Sequence, residues 1–256
     1  KEINADVFCL LNNDVEVTEN WLKPFIEEFS LNTNTAAAQP KILNYHNKAY
    51  FDYAGAAGGF IDSLGYPYCD GRIHNLIEKD NKQYNLNKDI FWASGACFFI
   101  RKDIFNSLNG FDESFFNHME EIDLCWRILK QNSKVRYIHN STVYHVGGAT
   151  LDYNNPKKTF LNFRNSLFTI TKNIEKNLLI TLVFKMIMDG LIGLYYLLNF
   201  KFSHFLAIIK AHFAFYLQIP RLIKQREITN SSLKKFKLTF LLTKYLKLKY
   251  FDIFSN

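Results

Sequence analysis

Residues 7–11 read VFCLL, a continuous apolar run that stops abruptly at the polar triplet Asn12-Asn13-Asp14. An apolar run without alternation suits a strand covered on both faces, the kind found in parallel sheets flanked by helices. The residues beyond it extend that reading. Thr18 and Glu19 open an expected helix bearing Trp21, Leu22, Phe25, Ile26 and Phe29, with Pro24 expected to perturb its first turns. Residues 36–43 read as a second strand despite Pro40, and residues 96–101 (ACFFIR) as a third. Residues 102–108 form a short helix stopped by Asn109-Gly110. Segments 135–138 and 142–145 are β-like, the second running into His145-Val146-Gly147-Gly148. Between them, residues 53–72 (YAGAAGGFIDSLGYPYCDGR) mix glycines and aromatics without clean periodicity, as a structured loop or hairpin shaping a pocket would. Short buried strands alternating with helices predict an α/β fold with a mainly parallel sheet.

The composition supports an ordered chain. Of the 256 residues 48% are hydrophobic, and 25 Phe and 14 Tyr stand against 5 Pro and 11 Gly, so a substantial core is expected. Cys9, Cys69, Cys97 and Cys125 are widely spaced and three lie in apolar runs, which suits reduced thiols better than a disulfide framework or a zinc site. Charge divides the chain. Residues 1–155 hold 14 Lys and Arg against 20 Asp and Glu, whereas residues 156–256 hold 17 against 4. A basic half of this kind points to a polyanion or an anionic membrane surface. The opening KEINADVFCLLNND lacks the pattern of a secretory signal, and without an initiator Met it reads as a cut into a longer protein.

From about residue 157 the pattern turns helical. Residues 178–198 (LLITLVFKMIMDGLIGLYYLL) have the length of a membrane span, but Lys185 and Asp189 at mid-length make a re-entrant or interfacial helix an equal alternative. Residues 202–219 form a second aromatic-rich apolar stretch. Beyond Pro220, KKFKLTFLLTKYLKLKYF (234–251) looks like a basic amphipathic helix suited to anionic lipid. A plain helical domain packing its own apolar faces remains the alternative. Nucleic acid is disfavoured, because the aromatics lie in apolar stripes instead of interleaving with exposed basic residues.

The sharpest local feature is NHMEEIDLCWR (117–127). Asn117 has the chemistry of an N-cap, with Glu120 three residues on in a variant of the capping box. Asp123 and Arg127 have the favourable i, i+4 order for a helix pair. Met119, Ile122, Cys125, Trp126 and Leu129 form the expected buried stripe. Glu121 is left without a local structural role. It is either a solvated first-turn acid or, ionised near the helix N-terminus, a general base. Asp14 follows a strand where ligands of open sheets bind, or else makes an ordinary Asx turn. His145 ends another strand, as a packed residue or as a ligand. Together Asp14 and His145 suit a hard divalent cation that takes phosphate oxygens as further ligands.

LLNNDVEVTENWL (10–22), ASGACFFIRKDIFNSLNGFDESFFNHMEEIDLCWRI (93–128) and VYHVGG (143–148) resemble, in order and spacing, the family 2 glycosyltransferases of the GT-A fold, particularly the rhamnosyltransferase-like bacterial branch. The resemblance spans roughly residues 5–170. It implies that Asn12, Asn13 and Asp14 stand at the D-x-D-like motif, with Asp14 and His145 as ligands of Mg or Mn, and that Glu121 of the Glu120–Glu121 pair is the catalytic base. Asn12 stands where many members have Asp, and Glu121 where many have Asp. On this reading residues 1–155 are the C-terminal portion of a Rossmann-like, mainly parallel GT-A domain, lacking a preceding nucleotide-binding half, and residues 156–256 are a basic, membrane-associating helical region. The implied reaction is inverting sugar transfer from a nucleotide-diphosphate sugar to a glycan or lipid-linked acceptor, in cell-surface polysaccharide synthesis at the cytoplasmic face of the bacterial inner membrane. Gly95 and Ala96 would let a sugar approach, or are merely close-packed; Trp92 would stack on a sugar or lie in the core; Arg164 would meet a phosphate or solvent; and Glu120 and Asp123 flank the base as further substrate-side candidates. The alternative is a truncated, non-catalytic module that binds membrane or a partner.

Overall fold

The computed structural model describes residues 4–73, 76–147 and 155–226. Its main sheet is mixed. In spatial order it runs β1 (Val7–Leu11), β9 (Cys97–Arg101), β3 (Thr35–Asn44), β10 (Lys134–His145) and β2 (Val15–Val17), with β8 (Lys88–Ile90) on the same flank of β10 as β2. Only β3 and β10 pair in parallel among these described strands; the other four pairings are antiparallel. The mainly parallel sheet expected from sequence is therefore corrected. An apolar run reports burial and carries no information about strand direction. Nor is β1 buried on both faces: it occupies the edge of the described sheet, with Cys9, Leu10 and Leu11 exposed.

Pro40 is tolerated inside β3 because the ladder breaks there. The partner register jumps from Ile138 to Thr142, so a bulge in β10 sits opposite the residue that has no N–H to donate. Helices cover both faces. On one, α1 (Lys23–Leu31) packs Phe25 and Phe29 against Ala38, Ile42 and Phe99, with the Phe25 and Phe99 rings stacked 3.8 Å apart. This helix begins at Lys23-Pro24 and not at Thr18: proline's fixed φ and missing donor suit a first turn, so Pro24 starts the helix it was expected to disturb. The other face receives α2 (Lys102–Ser107) and α3 (Glu120–Lys130), whose Ile122, Cys125, Trp126 and Leu129 join Phe98 and Ile100 in the larger core.

The glycine-rich segment forms a small antiparallel meander, β4 (Gly59–Ile61), β5 (Pro67–Cys69), β6 (Arg72–Ile73) and β7 (Leu76–Ile77). It is held against the main sheet where Gly59 lies on the Trp92 indole; a Cβ there would come within 2.1 Å of the ring. Three helices follow: α4 (Pro156–Asn173), α5 (Leu178–Leu198) and α6 (Phe202–Lys224). Asn155 caps α4 by accepting from the Lys157 N–H at 2.9 Å. α6 runs past the apolar stretch 202–219, through Pro220, to Lys224. Leu167, Phe168, Ile170, Leu182, Phe215 and Leu222 belong to the same buried cluster as the sheet, so these helices extend its core. The basic stretch 234–251 lies outside the described residues.

Candidate active site

Two groups of polar residues are each tied to the segment 93–96. The first lies at strand ends. The Asn12 N–H donates to the Ala96 carbonyl at 3.1 Å, which seats the exposed Asn12-Asn13 turn on this segment. Asp14 Oδ2 lies 3.3 Å from His145 Nε2, and His145 Nδ1 lies 2.8 Å from Asp52 Oδ1. Asp52 is buried and also accepts from the Ala54 N–H at 2.8 Å. An Nδ1 proton donated to Asp52 leaves the Nε2 lone pair facing Asp14, the arrangement in which an outer carboxylate orients a ligating imidazole. Burial disfavours the charged form of His145, but the hydrogen bond and charge of Asp52, together with Asp14, outweigh it and raise the pKa. Asp14 and His145 are thus brought together as expected. Asp52 was not foreseen: an acid in YFDYAG carries no periodic or spacing signal, and only the fold brings it to His145.

Among the described residues, no group of three or more His, Cys, Asp and Glu side chains is arranged to hold a metal ion. One carboxylate and one oriented imidazole still fit a hard divalent cation that brings other ligands with its substrate.

The second group is the start of α3. The chain enters through three residues of positive φ, Phe116, His118 and Met119, and the helix begins at Glu120. Asn117 is not its cap: Met119 occupies that position, and Asn117 Oδ1 accepts from the adjacent His118 N–H. This entry is clamped from α4. Asn165, fully buried, points Nδ2 at the carbonyls of Phe115, Asn117 and His118 at 3.0, 2.8 and 2.7 Å. Arg164 donates to the carbonyls of Ser114 and Phe115 at 3.2 and 2.9 Å.

At the helix start, buried oxygens of Glu120 and Glu121 (Oε2 of each) and Nε2 of His118 have no hydrogen-bond partner. Burial, followed by the charge of Glu120, pushes the Glu121 carboxyl up to about 8, against backbone N–H groups of the first turn that favour its ionised form. Burial also raises Glu120. The helix N-terminus does favour the ionised form of Glu121, through those first-turn N–H groups, but desolvation acts against it and prevails. His118 is pushed down to about 4 by burial and by Lys158, so it is neutral near pH 7. Lys158 in turn lies 5.3 Å from the centroid of the ring of Tyr53, the residue after Asp52. Neither His118 nor Lys158 was singled out from the sequence. Cys125, one turn beyond Glu121, receives the Ala93 N–H at 3.5 Å, which ties α3 to the same 93–96 segment.

The remaining candidates divide. At Gly95 a Cβ would meet nothing within 4 Å, so that position is open, and Ala96 beside it is buried. Trp92 is taken up by the core: its Nε1 donates to the Phe60 carbonyl at 2.8 Å and its ring covers Gly59. Asp123 is fully buried and held by Arg127, Lys172 and Asn173 at 2.9, 2.9 and 2.7 Å, which leaves no oxygen for a substrate. Arg164 spends its guanidinium on the loop ahead of α3.

An acid and an imidazole at strand ends, and a half-buried carboxyl pair with an unpartnered, sealed oxygen on each member, make up the candidate site of this α/β fold. The chain belongs to the glycosyl transferase family group 2, whose family model matches residues 9–223. It is 24% identical over 184 residues to the low-salt glycan biosynthesis hexosyltransferase Agl10 of Haloferax volcanii, covering 69% of this chain and 54% of that protein. It is 34% identical over 88 residues to an N-acetylglucosaminyl-diphospho-decaprenol L-rhamnosyltransferase of Mycobacterium tuberculosis, covering 34% of this chain and 28% of that one. The chain thus spans about half the length of the first relative and less of the second. A crystal structure of GalNAc-T7 with UDP, GalNAc and Mn2+ is similar at a TM-score of 0.49 and 14% identity, over 68% of this chain and 32% of that one.

Proposed function

We propose that this chain belongs to a GT-A glycosyltransferase that moves a sugar, with inversion, from a nucleotide-diphosphate sugar to a glycan or lipid-linked acceptor in cell-surface polysaccharide synthesis. The observation that carries this reading is the Glu121 carboxyl, whose Oε2 is sealed from water without a partner and which is raised to about 8. A carboxyl of that pKa is a much stronger proton acceptor than an ordinary one, and it is poised for a hydroxyl that supplies the missing hydrogen bond. Inversion needs only this one base, which takes the proton of the acceptor hydroxyl as that oxygen attacks the anomeric carbon. Asp14 and His145 would hold Mg or Mn, with Asp52 fixing the imidazole. Such a cation, when bound, neutralises charge on the leaving diphosphate. Asn12 and Asn13 face the donor, and Gly95 leaves room for its sugar. Neutral His118 offers its unpartnered nitrogen to a substrate hydroxyl.

The relatives' activities support the substrate class: one is named for hexosyl transfer in glycan synthesis, the other for rhamnosyl transfer to a diphospho-decaprenol-linked sugar. An acceptor of the second kind resides in a membrane, which agrees with association of the basic helical region with anionic lipid at the cytoplasmic face. The decisive experiment is Glu121→Gln in the full-length protein, assayed for transfer. Shape is kept and basicity lost, so wild-type turnover would sink the assignment. Undiminished transfer after chelation would sink the cation.

A further inference from the structure

α5 and α6 are apolar and long enough to cross a membrane, yet each is tied to the α/β part by a polar contact. The mid-helix charges of α5 turn inward. Lys185 Nζ lies 2.7 Å from Asp189 Oδ1 and 3.4 Å from the centroid of the Tyr66 ring. Asp189 also receives the Tyr66 hydroxyl at 2.6 Å and contacts His212 of α6 at 3.2 Å. Tyr66 belongs to the turn between β4 and β5, where Asp62 Oδ1 accepts the N–H groups of Leu64 and Tyr66. Near its other end α6 donates from Arg221 to Ser114 Oγ at 2.7 Å, in the loop that leads to α3.

The opposite faces are bare. Leu179, Phe184, Leu191 and Leu194 of α5, with Phe213 and Leu217 of α6, are exposed large apolar side chains, a clustered apolar surface of the kind that marks an interaction site. We propose that these faces rest in the plane of an anionic lipid leaflet, with neither helix crossing it. A spanning α5 would carry the Tyr66 turn and α4 to the bilayer centre, where irregular backbone exposed to lipid has no hydrogen-bond partners. Charge selects lipid over a second copy of the chain. Exposed Lys176, Lys201, Lys210 and Lys224 flank the apolar surface, and residues 156–256 carry 17 Lys and Arg against 4 Asp and Glu. Two such surfaces repel each other, whereas anionic headgroups match them. The inference rests on the membrane association proposed above and adds its orientation.

The test uses the full chain with vesicles of phosphatidylcholine, with and without phosphatidylglycerol. Single variants Leu179→Trp, Ile187→Trp and Leu198→Trp are read as differences from the parent, in lipids brominated at known depths. Flotation is expected with phosphatidylglycerol and lost without it. The three tryptophans are expected to be quenched equally and by shallow bromines, at about 5–10 Å below the headgroup boundary. In a span the depths would diverge by about 1.5 Å per residue along the helix; deepest quenching at position 187 alone would overturn the in-plane orientation. Flotation without quenching at any of the three would also overturn it, leaving the association itself standing and assigned elsewhere in the chain. Absence of flotation would overturn both.

Discussion

Glu121 and Asp123 lie two residues apart on one helix, each with a carboxylate oxygen sealed from water, yet their surroundings are opposite. Asp123 is fully buried with three donors around it, Arg127, Lys172 and Asn173. Glu121 has a sealed oxygen with no donor, and the nearby Glu120 charge acts on it. Burial alone therefore does not decide what a carboxylate does. Where donors converge, a buried acid holds structure together; where they are withheld, the same group is left basic and unsatisfied, as a reaction centre needs.

The largest expected effect is at Glu121. Glu121→Gln should lower transfer by about 10²–10⁴-fold, the usual worth of a general base, while raising stability. The sign follows from the shift. Folding moves this carboxyl from an ordinary 4.5 to about 8, so the folded state favours the proton; the stability this confers is present below about pH 4.5 and lost as pH rises through about 8. The glutamine variant does not titrate. Its melting temperature should gain on the wild type between pH 5 and pH 9, and a constant gap over that range would show that Glu121 does not titrate differently in the folded state.

Asp123→Asn should do the reverse. It takes the negative charge from beside Lys172 and Arg127, and breaking a buried ion network costs about 3–5 kcal/mol. Denaturant unfolding should show that loss, and whatever protein remains folded should keep its transfer rate per folded molecule. A variant with full stability and no activity would return Asp123 to the substrate side.

The sequence made this contrast only half legible. The buried stripe of α3, the Asp123–Arg127 spacing and the paired carboxylates were readable, because each depends on helical periodicity. Strand direction was not, since a run of apolar residues is compatible with either pairing. Asp14 and His145 could be proposed from their places after strands, but Asp52 reaches His145 from 93 positions away. Lys172 and Asn173, which separate Asp123 from Glu121 in role, come from a different helix. What a carboxylate does here depends on groups distant in sequence, and local pattern does not report them.

A smaller effect is expected at Asn165, whose amide meets three carbonyls of the loop before α3. Phe116, His118 and Met119 hold left-handed backbone at about 1–2 kcal/mol each, and the clamp offsets that cost. Asn165→Ala should lose about 1–3 kcal/mol of stability for the unmet carbonyls. Because the loop sets where Glu121 sits, turnover should fall with the donor KM unchanged; a fall in stability with normal turnover would make Asn165 purely structural.

The finest test separates the two causes of the Glu121 shift. Burial comes first and the Glu120 charge second, so Glu120→Gln removes only the second. The pKa should then fall from about 8 but stay above the ordinary 4.5, because the desolvation is unchanged. In a pH–rate profile the rising limb should move to lower pH. The variant should therefore transfer a larger fraction of its maximal rate at pH 7 than the wild type does, even though its base is intrinsically weaker. A limb that stays in place would mean that Glu120 is itself protonated where Glu121 titrates, so that burial alone keeps the base of α3 unsatisfied while Asp123, three residues from Glu120, is fully paired.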